Sequence, residues 1–394
     1  MELCFSFLRI LMAIHSLPAG GAEKFFTTLA RALAPRHELC CYIPCLPAGD
    51  PGMIQRLSGI PIVSFPLFNH FGYKVFYKLR QMIIARFPWI DIEARLHRFM
   101  LGRLQRRWRC DVVNTQLFSA TRFCCESFAA DTVAIIESDH GHYAFLQPKD
   151  MPLAQPIFDR LNGLVCPSMA NLEFSRRFPW NARLQRCTIP YGYERQVPPH
   201  DRPVQPAVIT LGLVARGVIW KGWLEALAAA RLVRERVTHP FRLVFVGAGP
   251  CIDEIAPTLT QDERQWIELT GHQDLPEKWI ADFDIALLPT YLPGESLPNS
   301  IIEYLAHGVP VITTGVGGIP EMLATPDGLA GILIEQEPDG KASVPALAEA
   351  MTQLINQHEL RAELSQRAKV ASRRFDLDAC IAAYEQAFEA ARLN

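Results

Sequence analysis

The chain has 394 residues, 49% apolar and 20% charged, which is enough for two or three domains that each bury a core. Its 39 Lys and Arg nearly balance 41 Asp and Glu, and the net charge of -2 gives no global pull towards nucleic acid. The 11 cysteines contain no CxxC pair, so zinc and redox motifs are absent and reduced, buried thiols in a cytosolic protein are the simplest reading.

Residues 3–14 are apolar and are followed by Pro18-Ala19-Gly20-Gly21-Ala22, an order that a signal peptide shares. Glu2 replaces the positive charge a signal peptide carries, and Arg9 interrupts the run, so a first buried strand over 8–14 is expected instead. No uninterrupted apolar run of about 18 residues occurs, and no membrane-spanning helix is expected. An amphipathic helix follows over 22–33, with Phe25, Phe26, Leu29 and Leu33 on one side. Between Lys74 and Arg109, ten Lys or Arg stand against Asp91 and Glu93, interleaved with Phe76, Tyr77, Ile83, Ile84, Phe87, Trp89, Phe99 and Trp108. Such a stretch suits either an anionic membrane surface or a pair of helices with a solvated charged face. Further strands are expected over 111–114, 132–138 and 163–168.

Residues 194–207 carry four prolines among polar residues and read as a semi-rigid linker. The alternation then restarts, with strands over 208–214, 241–246, 284–288 and 309–313 and a helix over 224–237. Residues 344–393 read as helical, broken near Phe375. The pattern implies two α/β domains with parallel sheets, 1–195 and 208–375, joined by a linker at 196–207.

The densest motif is Gly294-Glu295-Ser296-Leu297-Pro298-Asn299-Ser300-Ile301-Ile302-Glu303. A helix opening near Leu297 would offer free N–H groups and a positive dipole end to a phosphate, and an acid two turns on can accept hydrogen bonds from a vicinal diol such as ribose. Read alone, two acids on a helix are more simply surface glutamates. Arg216 and Lys221, five residues apart in Leu211-Gly-Leu-Val-Ala-Arg-Gly-Val-Ile-Trp-Lys-Gly222, can clamp a diphosphate. Gly20 and Gly21 allow close backbone approach before a helix. His140, in Glu137-Ser-Asp139-His140-Gly141-His142, follows a strand where parallel sheets place ligand sites. Asp139, His140 and His142 are only a partial metal set. Asp282-Phe-Asp284 reads as a helix end and strand start, and Gly247-Ala-Gly249 lacks the third glycine of a dinucleotide loop, since Ile252 stands there.

Taken together these motifs resemble the family 4 (group 1) retaining glycosyltransferases of the GT-B fold. The resemblance extends through Ala306-His-Gly-Val-Pro-Val-Ile-Thr-Thr, Gly317-Gly318-Ile-Pro-Glu321, Cys166-Pro-Ser168 and Ile189-Pro-Tyr191-Gly-Tyr193, where Tyr191 replaces the family's Asn. Ala215 also stands where the family has glycine, and residues 50–130 match it thinly. The resemblance implies two Rossmann-like domains facing across a cleft, the first (1–195) taking the acceptor and completed by a C-terminal helix (376–394) that crosses back. The second (208–375) would bind the donor. It implies that Arg216 and Lys221 neutralise the leaving diphosphate, Glu295 contacts the donor sugar, and Glu303 binds the ribose. His140 would contact the reacting sugar. Gly20, Gly21, Gly247, His272, Ser296, Leu297, Pro298 and Asn299 would line the donor site. No metal or other cofactor is implied beyond the nucleotide-diphosphate sugar as co-substrate.

The expected activity is transfer of a sugar to an acceptor hydroxyl with retention of configuration, in cell-surface polysaccharide or glycolipid synthesis. The expected partners are the nucleotide sugar and a saccharide or lipid-linked acceptor, without nucleic acid. The expected place is the cytoplasm, with the Lys74 to Arg109 stretch as a contact to the inner face of the plasma membrane. A nucleotide-sugar 2-epimerase or a non-catalytic nucleotide-binding scaffold would share the fold. The intact Arg216, Lys221, Glu295 and Glu303 set argues against the scaffold, and the match to the family 4 motifs against the epimerase.

Overall fold

The computed structural model describes residues 6–65, 75, 78–79, 82, 86, 92–129, 132–198, 205–292 and 294–392. Two compact units result, residues 1–192 with 377–394, and residues 193–376. The boundaries expected from sequence are 195, 208 and 375.

The first unit is built on seven parallel strands: β1 (Arg9–Ala13), β2 (Glu38–Tyr42), β3 (Ile62–Val63), β4 (Val112–Gln116), β5 (Ala134–Ser138), β6 (Gly163–Cys166) and β7 (Gln185–Thr188), in the order β3-β2-β1-β4-β5-β6-β7. Every residue of β4 and β5 is buried, which requires helices on both faces of the sheet. They are chiefly α1 (Gly21–Leu33), α2 (Ile92–Trp108), α3 (Phe118–Ser127), α4 (Met151–Arg160) and α5 (Met169–Ser175). The four strands and the helix expected here form, each within two residues or so of its expected start. β2, β3 and β7 are additions. β2 reads Glu-Leu-Cys-Cys-Tyr, and its two cysteines serve as small core residues. β7 is a half-exposed edge without an apolar run.

The second unit has a six-stranded parallel sheet: β8 (Ile209–Val214), β9 (Phe241–Val246), β10 (Ile267–Leu269), β11 (Ile285–Leu288), β12 (Val311–Thr314) and, after the small hairpin β13 (Ala324–Thr325) and β14 (Gly328–Leu329), β15 (Gly331–Ile334). Its order is β10-β9-β8-β11-β12-β15. β8 is buried along its whole length. Its principal helices are α6 (Trp223–Arg234), the short α7 (Glu277–Ile280), α8 (Asn299–Ala306), α9 (Val344–Asn356) and α10 (His358–Ser372). The last helix, α11 (Leu377–Arg392), belongs to the first unit, where it packs on β5, β6 and α1 and buries Ile381, Tyr384 and Phe388.

In each unit the first strand lies inside the sheet, and the order reverses beside it, at β1/β4 and at β8/β11. That reversal opens a crevice at the carboxyl ends of the strands, where doubly wound sheets hold ligands. One expectation needs correction. The helix expected to open near Leu297 begins at Asn299, because Pro298 takes the N-cap and disfavours helical backbone at the residue before it. Ser296, Leu297 and Pro298 are buried coil.

The ten described cysteines are free thiols and nine are buried. Of the basic stretch, Lys74, Phe76, Tyr77, Ile83, Ile84, Phe87, Trp89 and Asp91 lie outside the described residues. Among the described residues, no helix is long and apolar enough to cross a membrane.

Candidate functional site

At the order reversal of the second unit, the loop after β8 meets the loop after β11. Lys221 Nζ donates to Glu295 Oε2 at 2.5 Å, and both side chains are largely buried. Thr290 Oγ1 donates to the same carboxylate oxygen at 2.9 Å and lies 3.0 Å from the Trp220 carbonyl. Thr314, at the end of β12, donates to the Thr290 carbonyl. Glu295 is thus held from three strands, and the loop that carries it can pass only because residue 317 is glycine. Gly317 has φ +55, and a Cβ there would lie 1.6 Å from the Glu295 carbonyl oxygen. Gly222 performs a similar service beside Lys221: it has φ +74 and caps α6, and a Cβ would strike the Pro289 carbonyl at 2.3 Å.

Arg216 is exposed on the same loop, with no ion pair among the described residues, while its carbonyl accepts from Trp223 Nε1 at 3.0 Å. Glu303 lies on α8 and is 4% exposed. Its neighbour Tyr304 is buried, and its hydroxyl accepts from the Val214 N–H at the end of β8 at 2.7 Å, which fastens α8 to the loop that carries Arg216. Gly247 N–H donates to the Gly271 carbonyl at 2.9 Å, bringing the loops after β9 and β10 side by side. His272 follows, well exposed and 3.4 Å from Asp274. Ser296, Leu297 and Pro298 are buried next to Glu295, and Asn299 is half-buried.

Sequence reasoning missed Thr290 and a second anchor, Glu277. Burial by itself would raise the Glu277 carboxyl, but His307, the N–H groups of Gln196 and Val197, and Tyr193 bring it down to about 2. His307 follows α8, and Arg195 donates to the Ala306 carbonyl at the end of that helix. The first residues of the unit are therefore tied to the helix that bears Glu303. No sequence motif marks a carboxylate whose partners lie at positions 193–197 and 307.

In the first unit, His140 lies just beyond β5 in a continuous hydrogen-bond relay. Tyr384 of α11 donates to Ser138 Oγ at 2.9 Å, and Asn114 Nδ2 donates to the same oxygen at 3.1 Å. Gln116 Nε2 donates to Asn114 Oδ1 at 2.9 Å, which leaves Gln116 Oε1 to accept from His140 Nε2 at 2.5 Å. Tyr191 donates its hydroxyl proton to His140 Nδ1 at 2.6 Å. The relay selects the Nε2–H tautomer, and burial pushes the imidazole down to about 3, so it is neutral near pH 7. Both ring nitrogens are engaged by protein partners. Phe25 of α1 packs on Tyr191 at 4.6 Å between ring centroids. Gly20 caps α1 and Gly21 is its first residue, both near the surface at the order reversal of this sheet.

Asp139 Oδ1 accepts from the His142 N–H at 3.0 Å, and His142 stacks on Phe118. Among the described residues no group of three His, Cys, Asp or Glu is arranged to hold a metal ion.

Residues 206–357 match the model of the family described as glycosyl transferases group 1. That stretch, under half of the chain, is similar to group 1 glycosyl transferases. It contains Arg216, Lys221, Glu295 and Glu303. An uncharacterised glycosyltransferase of Methanocaldococcus jannaschii is 28% identical over 151 residues, which is 38% of this chain and 40% of that protein. TuaC of Bacillus subtilis, named as a teichuronic acid biosynthesis glycosyltransferase, is 34% identical over 155 residues, 36% of this chain and 35% of its own. The chain thus spans well under half the length of these curated relatives. The crystal structure of Anabaena HepE in complex with UDP and glucose superposes with a TM-score of 0.74 at 16% identity, covering 96% of this chain and 98% of that one. This likeness shows the fold, the two Rossmann-like domains of GT-B glycosyltransferases.

Two buried carboxyls beside His140 give this region a pH dependence. Burial raises Glu137 to about 8, against the Tyr143 hydroxyl that donates to it at 2.5 Å, and raises Asp139 to about 6. Both values lie above those of an unfolded chain, so the native state binds the extra proton and stability falls as pH rises, until the folded carboxyl itself ionises. Between pH 6.5 and 8 the Glu137 part dominates. Glu137→Gln, which mimics the protonated acid, should therefore remove roughly 2 kcal/mol of the stability loss across that interval. Urea denaturation of wild type and variant at the two pH values checks this, and parallel pH profiles would contradict it.

Proposed function

We propose that the protein is a metal-independent, retaining glycosyltransferase of family 4 that moves a sugar from a nucleoside-diphosphate donor to an acceptor hydroxyl in cell-surface polysaccharide or glycolipid synthesis. The observation that carries the reading is the Lys221–Glu295 contact at the order reversal of the second unit, with exposed Arg216 on the same loop. An arriving diphosphate competes with Glu295 for the Lys221 ammonium. Its capture by Lys221 and Arg216 frees the Glu295 carboxylate to accept from hydroxyls of the donor sugar. Two cations then neutralise the charge that develops as the diphosphate leaves, so this reading needs neither a metal nor another cofactor. Glu303 takes the ribose diol. The TuaC name supports a polysaccharide setting, and the HepE complex makes UDP the first nucleotide to test.

A thermal-shift screen of UDP, GDP and their sugars is the first check. One nucleotide should stabilise the wild type and not Glu303→Ala; no shift with any nucleotide would overturn the donor site. With a donor in hand, the NMR coupling constant of the new anomeric linkage should show the donor's own configuration, and an inverted linkage would reject the retaining assignment.

A saccharide or lipid-linked acceptor would be met at a membrane, and α2 suits that surface. Arg95, Arg98, Phe99, Arg103 and Arg106 recur at helical spacing along it and are all exposed, with Phe99 59% exposed. Val75, Leu79 and Met82 are exposed as well. The protein should float with vesicles containing anionic phospholipid and not with neutral phosphatidylcholine vesicles. Reversing Arg98 and Arg103 to Glu should release it, and flotation unchanged by that reversal would remove α2 as the contact.

A further inference from the structure

Thr290 stands between two acceptors and has one side-chain proton to give. Its Oγ1 lies 2.9 Å from Glu295 Oε2 and 3.0 Å from the Trp220 carbonyl. The residue is fully buried, and its main chain is fixed on both sides. Its N–H donates to the Leu288 carbonyl at 2.7 Å, and its own carbonyl accepts from Thr314. A β-branched side chain packed in this way keeps its rotamer, and the hydroxyl proton is what can still turn.

The two acceptors are unequal. The Trp220 carbonyl also accepts from the Tyr291 N–H at 2.9 Å, so it keeps a donor when the hydroxyl turns away. Glu295 Oε2 has Lys221 Nζ as its other partner, and among the described residues no group bonds Oε1. While the ammonium is in place, the carboxylate has a charged donor. When a diphosphate draws the ammonium off, that carboxylate depends on Thr290, because the Glu295 side chain is only 11% exposed. A largely buried, ionised carboxylate without a donor is strongly unfavourable. The main chain of Glu295 cannot follow the ammonium either. Its N–H donates to the Leu292 carbonyl at 2.9 Å, and its carbonyl accepts from the Gly318 N–H at 3.2 Å.

We propose that Thr290 is a positioning residue, the reserve donor of the diphosphate clamp. As Lys221 turns to the diphosphate, the Thr290 hydroxyl commits its proton to Glu295 Oε2, and Oε1 is left for a hydroxyl of the donor. The exchange makes and breaks hydrogen bonds only: Lys221 leaves Oε2, Thr290 leaves the Trp220 carbonyl, and Tyr291 remains on that carbonyl. This role rests on the clamp of Lys221 and Arg216 proposed above.

The test is calorimetric titration of the full chain with inorganic pyrophosphate, which carries the diphosphate without a base or a sugar. Wild type, Thr290→Val, Thr290→Ser, Glu295→Ala and the double variant Thr290→Val with Glu295→Ala are compared, with circular dichroism to check that each is folded. The wild type should bind saturably. Thr290→Val removes the hydroxyl at nearly constant shape and should weaken binding by about tenfold. Thr290→Ser keeps the hydroxyl and should restore wild-type affinity. With Glu295 replaced by alanine no carboxylate is left to satisfy, so adding Thr290→Val should change affinity by less than about twofold. A role in shaping the loop alone would keep the full loss in that background. A wild type that does not bind pyrophosphate would overturn the clamp and this role with it. If the wild type binds and Thr290→Val is no weaker, is not rescued by serine, or loses as much in the Glu295→Ala background, the clamp stands and the role of Thr290 is overturned.

Discussion

The contact between Lys221 and Glu295 depends on a constraint of topology. A parallel sheet wound in both directions from an inner strand must send its crossovers to opposite faces at one place, and there the loops after two adjacent strands part. In the second unit those strands are β8 and β11. The loop after the first carries the cation and the loop after the second carries the carboxylate, 74 residues further along the chain. Neither loop is regular, so the geometry is held by supports: Thr290 on Glu295, Thr314 on Thr290, and glycines at 222 and 317 where backbones would otherwise collide. The supports come from the ends of strands that are themselves fully buried, which is why an irregular loop can hold an ion pair in one position.

The same order reversal recurs in the first unit with different chemistry. There the polar residues at the carboxyl ends of β4 and β5 bond chiefly to one another. Asn114, Gln116 and Ser138 link Tyr384 of the last helix to the ring of His140. Burial inside this relay keeps the imidazole neutral and uses both of its nitrogens, while next to it burial lifts two carboxyls towards their neutral forms. The two order reversals therefore share a scaffold and differ in charge: the second pairs Lys221 with Glu295, and the first holds a neutral His140 beside carboxyls that burial raises.

Glu277 shows the alternative fate of a buried acid. It is nearly inaccessible, yet its surroundings hold it ionised with N–H groups from Gln196 and Val197 and with His307. Glu277 takes two backbone N–H groups, an imidazole and a hydroxyl, whereas Glu137 takes only the hydroxyls of Tyr143 and Thr121 against its burial. The structural effect of Glu277 is to bind the segment that enters the second unit to the end of α8, the helix that carries Glu303.

The sequence by itself determined the architecture and marked Arg216, Lys221, Glu295 and Glu303 as candidates. Uninterrupted apolar runs such as residues 209–214 and 241–246 are buried on both faces and cannot be anything but inner strands once helices alternate with them. The Glu295–Glu303 and Arg216–Lys221 spacings were legible because each lies within a single loop and helix start. The edge strands β3, β7 and β10 were not, since short strands with exposed faces lack a hydrophobic period. The start of α8 was misplaced because Pro298 moved it. Only the tertiary structure could join Lys221 to Glu295, His140 to Gln116 and Tyr191, or Glu277 to residues 196, 197 and 307. Those partners lie tens to more than a hundred positions apart, and local periodicity carries no information about which strand ends become neighbours.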